Sequence, residues 1–323
     1  MKESKLIEKI IKLFSKKDKS IVLGPGDDTA VIDFKDKKKY FLFTVDEIVE
    51  NTHFILSFLR PQEIASKLVR MNVSDIYSMG DAKPLYCLVS GGINFDKVND
   101  IWVSEFLNGL KKELDFFSII NIGGNLTKSK DIFFSMTLVG EVKKNKLIKR
   151  TGAKPGDLLC SVGKMGFSSA AVDIMVNKKR ESLSEIEKKL VSLFVKPRIY
   201  ALEAAEISNY ASAMIDNSDG LYKSAEILAG LNNIKVRIYY DKLLKSAHPV
   251  LIKWAEKEKK EARKYALFGG EDYNLIFTIP EEKFNSLSKK IKDLNILGFC
   301  DKGVGVEVLN YHGKIKNFEH FKN

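Results

Sequence analysis

The residues best equipped for chemistry in this chain fall in four short acidic stretches: Gly26-Asp27-Asp28, Asn72-Val73-Ser74-Asp75, Asp216-Asn217-Ser218-Asp219-Gly220 and Gly270-Glu271-Asp272. In each, carboxylates stand beside Gly, Ser or Asn, next to segments that read as strand ends or helices. Carboxylate oxygens suit Mg²⁺, a hard cation that keeps several waters and takes its other ligands from substrate phosphates. Turns and helix N-termini recruit the same residue types, so a single stretch would say little. Four of them, in a chain whose formal net charge is +11, favour metal-bound phosphate chemistry.

Other residues fit the same reading. Gly24-Pro25-Gly26 precedes Asp27 and Asp28, and glycines let a backbone approach a phosphate closely. Asn72, Asp75 and Met79 share one face of a helix whose apolar part is Leu68, Val69 and Ile76. Asp75 thus sits at the margin of a packed face, where an unpaired carboxylate is costly; a bound cation or a distant Lys could compensate it. Asp46 closes an apolar strand, and His53 follows as either a structural residue or a phosphate contact. Gly123-Gly124-Asn125-Leu126-Thr127 reads as a turn open to a phosphate or as an ordinary hairpin turn. Arg150 suits bidentate phosphate recognition, with a surface arginine as the plain alternative. Asp216, Ser218 and Asp219 lie where a strand runs into a helix N-terminus, a natural seat for a metal-bound phosphate. No GxxxxGK[ST] loop, protein-kinase HRD or DFG, or serine-hydrolase GxSxG occurs. Nucleotide phosphates would therefore be held mainly through metals on acidic loops.

The elements that must position these residues alternate. Residues 2–16 carry Leu6, Ile7, Ile10, Ile11 and Phe14 at helical spacing. Strands are expected at 29–34, 40–46, 84–93, 118–122 and 131–141, and helices at 61–79, with Pro61 first and Gly80 as the stop, and at 97–115. The polar, Gly/Pro-punctuated stretch 143–155 is the expected joint. Beyond it come a strand at 158–162, helices after Gly166 and at 198–210, a strand at 213–215, a helix ending near Gly230, and strands at 234–240, 274–279, 295–299 and 304–309. The fold class is α/β (α+β) in two domains, 1–145 and 146–323.

Composition sets the context. A hydrophobic content of 45% with 20 Phe supplies ample core. No run of about 18 apolar residues exists, so no membrane span is expected. Cys87, Cys160 and Cys300 are scattered and form no CxxC or Cys/His cluster, which with the lack of a signal-peptide pattern points to a reduced, cytoplasmic protein. The lysine runs are interleaved with acids and lack threaded aromatics, so they read as solvated surface and not as a nucleic-acid site.

The order of the motifs is more specific than any one of them. Gly26-Asp27-Asp28; Asp46 with Glu50 and His53-Phe54; Asn72 with Ser74-Asp75 and Met79-Gly80; Gly123-Gly124-Asn125; Arg150 with Gly152-Ala153-Lys154-Pro155-Gly156-Asp157; Asp216 with Ser218-Asp219-Gly220-Leu221; and Gly270-Glu271-Asp272-Tyr273-Asn274-Leu275 follow one another along the chain. That order resembles the thiamine-monophosphate kinase family, within the superfamily of aminoimidazole ribonucleotide synthetase, from Gly24 to Asn317-Phe318-Glu319-His320-Phe321.

The resemblance implies an N-terminal α/β domain that pairs its sheet across a homodimer, a C-terminal α/β domain, and Mg-ATP in the cleft between them. It implies transfer from ATP to thiamine monophosphate, giving ADP and thiamine diphosphate. Position by position, Asp28, Thr44, Asp46, Asp75, Asp216 and Asp219 match metal ligands. Gly124, Arg150 and Ser218 match ATP contacts, and His53, Glu271 and Phe318 match substrate contacts. Asp75, Arg150 and Asp219 are the expected catalytic group. Two positions depart from the pattern: Asn125, assigned to metal and ATP, stands where the family has Asp, and Val45 where it has Thr. One negative charge is lost, so a weakened metal site is expected. The rivals are another ATP-dependent enzyme of the superfamily, a Mg-ATP-binding protein without turnover, and a basic nucleic-acid binder.

Overall fold

Apolar runs alternating with amphipathic stretches resolve into two six-stranded mixed sheets. The computed structural model describes residues 3–14 and 18–315, so Phe318 and the closing motif around it lie outside the described residues. The first half comprises α1 (Glu3–Phe14), β1 (Ile21–Leu23), β2 (Ala30–Ile32), β3 (Lys39–Val49), α2 (Pro61–Ser78), β4 (Gly80–Ile93), α3 (Asp100–Phe117), β5 (Ile120–Lys128) and β6 (Phe133–Leu147). The second comprises β7 (Asp157–Val162), α4 (Phe167–Asn177), α5 (Glu185–Val195), α6 (Ala201–Ile207), β8 (Ala213–Asp216), α7 (Leu221–Asn232), β9 (Lys235–Tyr239), α8 (Leu243–Ser246), α9 (Pro249–Lys257), α10 (Ala262–Phe268), β10 (Leu275–Pro280), α11 (Glu281–Ser288), β11 (Leu294–Asp301) and β12 (Gly305–Leu309).

The first sheet runs β1-β2-β3-β6-β4-β5, antiparallel except for the β4–β5 pair. Strand periodicity divides β3 between two faces. Leu42, Thr44 and Ile48 are buried beneath α2, while Val45 is 61% exposed on the other side. Pro61, which has no N–H to lose, starts α2, and Gly80 with φ +108° lets the chain turn directly into β4. Ile64, Leu68, Val69, Val73 and Ile76 of α2 are fully buried, so truncating Leu68 to Ala would cost about 2–5 kcal/mol. Among the described residues the outer face has no such helix over Val45, Thr137 and Leu88, which form one row across β3, β6 and β4, and Val45 and Leu88 are exposed.

The second sheet runs β12-β9-β11-β7-β10-β8, antiparallel except for β12–β9. It is packed on both faces. Leu159, Ile215 and Ile276 join the core that contains α4, α5 and α7, while Cys160, Met214 and Phe277 face α6 and α11. β6 continues to Leu147 through the basic stretch expected to be linker, pairing Lys143 with Lys39 of β3, so residues 148–156 carry the chain between the sheets. No helix among the described residues is long and apolar enough to cross a membrane.

Candidate active site

Residues 148–156 hold Arg150 by its backbone before its side chain acts. Its N–H donates to Asp27 Oδ2 at 3.1 Å, and its carbonyl accepts from Asn232 Nδ2 at 2.9 Å. Its guanidinium then donates to Asp28 Oδ1. Burial disfavours this cation, but Asp28 beside it more than compensates and holds its pKa above the ordinary value. Opposite stands α2. Ser74 Oγ donates to Asp216 Oδ2 at 2.8 Å, and Asp75 Oδ2 accepts from Thr44 Oγ1 of β3 at 2.5 Å. Asn72, fully buried, accepts the N–H of Asp46 at 3.1 Å. Asp216 ends β8, and its second oxygen accepts from Ser218 Oγ at 2.9 Å.

Asp28, Asp75 and Asp216 each bring one carboxylate oxygen within 4.8 Å of the others. Crowded carboxylates in a dry place resist ionisation. Burial, and then Asp219 and Asp28, push Asp46 up to about 6. Burial and Asp28 push Asp216 up to about 7, against its hydroxyl donors and Arg150. Asp75 lies well above the usual range, from burial first and then Asp46, Asp216 and Asp28. Asp28 Oδ2 is buried without a hydrogen-bond partner. Acidic oxygens brought this close together, beside a carboxylate with one oxygen lacking a donor, fit an oxygen-seeking divalent cation.

These groups open on a cavity of about 1040 Å³, lined also by His53, Met71, Val172, Phe268 and Glu271. His53 Nδ1 accepts the N–H of Val49 at 3.1 Å, so the neutral ring carries its proton on Nε2. The 269–273 loop is strained into place, with Glu271 and Tyr273 both at positive φ (61° and 53°). Asp272 anchors it by accepting the N–H groups of Gly166 and Ser168 at the start of α4.

The cleft brings together Asp28, Thr44, Asp46, His53, Asp75, Arg150, Ser218, Asp219 and Glu271 from the expected site residues, with Asp216 packed against them from beneath. Gly124 and Asn125 do not line it. The expected glycine turn is instead part of edge strand β5, where Asn125 pairs with Ser90 and Ser90 with Ser135. Ser135 in that row lines the cleft, so two strand spacings, about 10 Å, separate Asn125 from it. Gly124 serves strand packing, since a Cβ there would stand 1.8 Å from the carbonyl oxygen of Val89.

Tyr273 of the cleft and Lys67 below it are among the residues that escaped the sequence reading. Tyr273 is 4% exposed, and burial followed by Glu271, Asp46, Asp216 and Asp75 pushes its phenol well above the ordinary value, so it remains a proton donor. Its place directly after Glu271-Asp272 was the available signal. Lys67, buried beneath Glu271, gave none.

Fold and site together define a protein related to AIR synthase, with two mixed sheets and an acid-lined cleft between them. Residues 26–142 match the family described as AIR synthase related protein, N-terminal domain. Over 97% of both chains, the sequence is 34% identical to the thiamine-monophosphate kinase of Aquifex aeolicus. It is 30% identical to that of Pyrococcus horikoshii over 95% of this chain and 91% of the relative. The solved structure of AaThiL complexed with AMPPCP and TMP superposes with a TM-score of 0.88 at 33% identity, over 99% of this chain and 97% of that one. The chain belongs to the thiamine-monophosphate kinase family.

Proposed function

We infer that this chain transfers the γ-phosphoryl group of ATP to the phosphate of thiamine monophosphate, releasing ADP and thiamine diphosphate. The carrying observation is the group formed by Asp28, Asp75 and Asp216, facing Arg150 in a cleft large enough for two ligands. Full-length likeness to thiamine-monophosphate kinases, and to a structure holding AMPPCP and TMP, supports the choice of substrates.

Asp28, Thr44, Asp46, Asp75, Asp216 and Asp219 would hold magnesium, which when bound supplies positive charge to the ATP phosphates. Arg150 and Ser218 orient the nucleotide phosphates, with Arg150 stabilising charge that spreads during transfer. His53 and Glu271, both lining the cleft, orient the acceptor, and Phe318 is assigned to its rings by family pattern alone. An anionic oxygen of the acceptor phosphate attacks the γ-phosphorus in line. The bond to the bridging oxygen breaks, and the electron pair leaves with ADP. A phosphate monoester oxygen is already charged, so no general base is required, and catalysis is positioning plus charge neutralisation.

Residues 1–145 serve as the metal, ATP and dimerisation domain, and residues 146–323 complete the cleft. A homodimer formed on the outer face of the first sheet would cover the exposed row at Val45 and Leu88. Gly124 and Asn125, out of reach of the carboxylate group within one chain, would take part only across that dimer. Three buried, unpaired cysteines suit a reducing cytoplasm.

The direct test incubates the protein with ATP, Mg²⁺ and thiamine monophosphate and quantifies both products. Equal formation of ADP and thiamine diphosphate is expected. ADP without thiamine diphosphate would assign a different acceptor and sink the reading.

A further inference from the structure

Lys67 lies on the same face of α2 as Met71 and Asp75, four and eight residues on, and both of those line the cleft. Its own side chain is only 2% exposed. Beneath the cleft floor its ammonium lies 3.5 Å from the centre of the Phe194 ring and donates to Glu271 Oε1 at 3.0 Å, across 204 residues of sequence. An ammonium taken so far out of water is costly unless it is paired, and burial pushes its pKa down. A surface lysine or a buried methionine would fill α2 more cheaply.

The loop above explains what the pairing achieves. Glu271 sits at φ +61°, its N–H donates to the Ser218 carbonyl at 2.7 Å, and its own carbonyl accepts from Ser168 Oγ at 2.8 Å. A Cβ on Gly270 would come within 2.3 Å of the Ser218 carbonyl oxygen, so the loop lies hard against the 216–220 turn. The main chain is therefore fixed on both sides, whereas a glutamate side chain keeps three rotatable bonds unless something holds its end.

We propose that Lys67 is a positioning residue for the acceptor: by gripping Glu271 Oε1 from below, it turns the Oε2 edge of the same carboxylate toward a cationic or N–H-bearing part of the acceptor. This rests on the functional reading above, in which that part is the thiazolium or aminopyrimidine of thiamine monophosphate. Lys67 itself touches no substrate and acts through Glu271.

Steady-state kinetics on Lys67→Met, Lys67→Gln, Glu271→Gln and the double variant Lys67→Met/Glu271→Gln test it. Lys67→Met is expected to raise KM for thiamine monophosphate about tenfold, the usual weight of a hydrogen bond to a charged group, while KM for ATP moves less than about twofold. Lys67→Gln keeps a donor, uncharged and one bond shorter, and should fall between wild type and Lys67→Met. The double variant should be no worse than Glu271→Gln alone, because Lys67 acts only through that carboxylate. A lowered melting temperature with wild-type KM for thiamine monophosphate would overturn the proposal and make the pair purely structural. So would losses that multiply in the double variant. If Lys67→Met does not fold, an unchanged KM in Lys67→Gln overturns it and a KM raised threefold or more, by the same weight, supports it. Wild-type protein forming no thiamine diphosphate would instead overturn the functional reading, and this inference with it.

Discussion

Asp216 and Asp272 lie in turns of like composition, both are 1% exposed, and burial pushes both carboxyls up to about 7. Their partners differ. Asp272 accepts two backbone N–H groups where α4 begins, so a helix N-terminus with its partial positive charge absorbs the acid. Asp216 is met by two hydroxyls and by the carboxylates of Asp28 and Asp75. Its charge is unanswered except by Arg150 at the edge of the group. Burial and a raised pKa therefore do not distinguish an acid held by backbone donors from one left facing other acids; the nature of the nearest donors does.

Asparagine substitutions should pull the two apart most strongly. Asp216→Asn is expected to lower kcat by about a hundredfold or more, with the melting temperature of the metal-free protein unchanged or higher because a repelled charge is gone. Asp272→Asn should do the reverse. An amide NH₂ facing an amide N–H loses a buried hydrogen bond, worth about 1–3 kcal/mol, and the melting temperature should drop by several degrees, with kcat in the folded variant falling less than about tenfold. If the two profiles exchanged places, the division drawn here would fail.

Next in size is a pH effect. A carboxyl whose folded pKa is raised stabilises the fold fully below its unfolded value of about 3.9. That contribution is lost as pH rises through about 6 for Asp46 and about 7 for Asp216 and Asp272. Metal-free protein should accordingly melt at lower temperature near pH 8 than near pH 5. Magnesium should raise the melting temperature more near pH 8, where the binding acids are ionised, and a flat response to magnesium across that range would count against the cation site.

The smallest effect is expected at Asn125. Restoring the family carboxylate with Asn125→Asp should lower the Mg²⁺ concentration for half-maximal rate by about twofold to fivefold, the weight of one exposed charge. No change at all would mean that β5 does not reach the site in any assembly.

The acids of the cleft were legible because strand ends must be closed by small or polar residues, and a carboxylate among them stands out against a lysine-rich surface. Asp28, Asp46, Asp219 and Glu271 announced themselves in this way, Asp75 did so as a carboxylate at the margin of a packed helix face, and the structure gathers all five at one cleft. Gly123 and Gly124 read as a turn yet lie within β5, since a glycine that makes room for a phosphate looks the same in sequence as one that makes room for the neighbouring strand. The basic residues 143–146 resembled a linker yet continue β6, because at the rim of a sheet lysines can pair outward, as Lys143 does with Asp81 and Lys39 with Glu141. Lys67 was silent for another reason: its meaning depends on a partner far along the chain, and no local pattern encodes that.

One helix has a consequence for how the protein works over time. α2 packs on β3, β4 and β6 on one side and on β8, α5 and α6 on the other. Swinging the two halves apart would draw Ser74 from Asp216, Lys67 from Glu271 and Arg70 from the carbonyl of Pro197, stranding charge in a dry interior. The cleft is thus a socket of set width and not a pair of jaws, its two walls tied to each other through one helix.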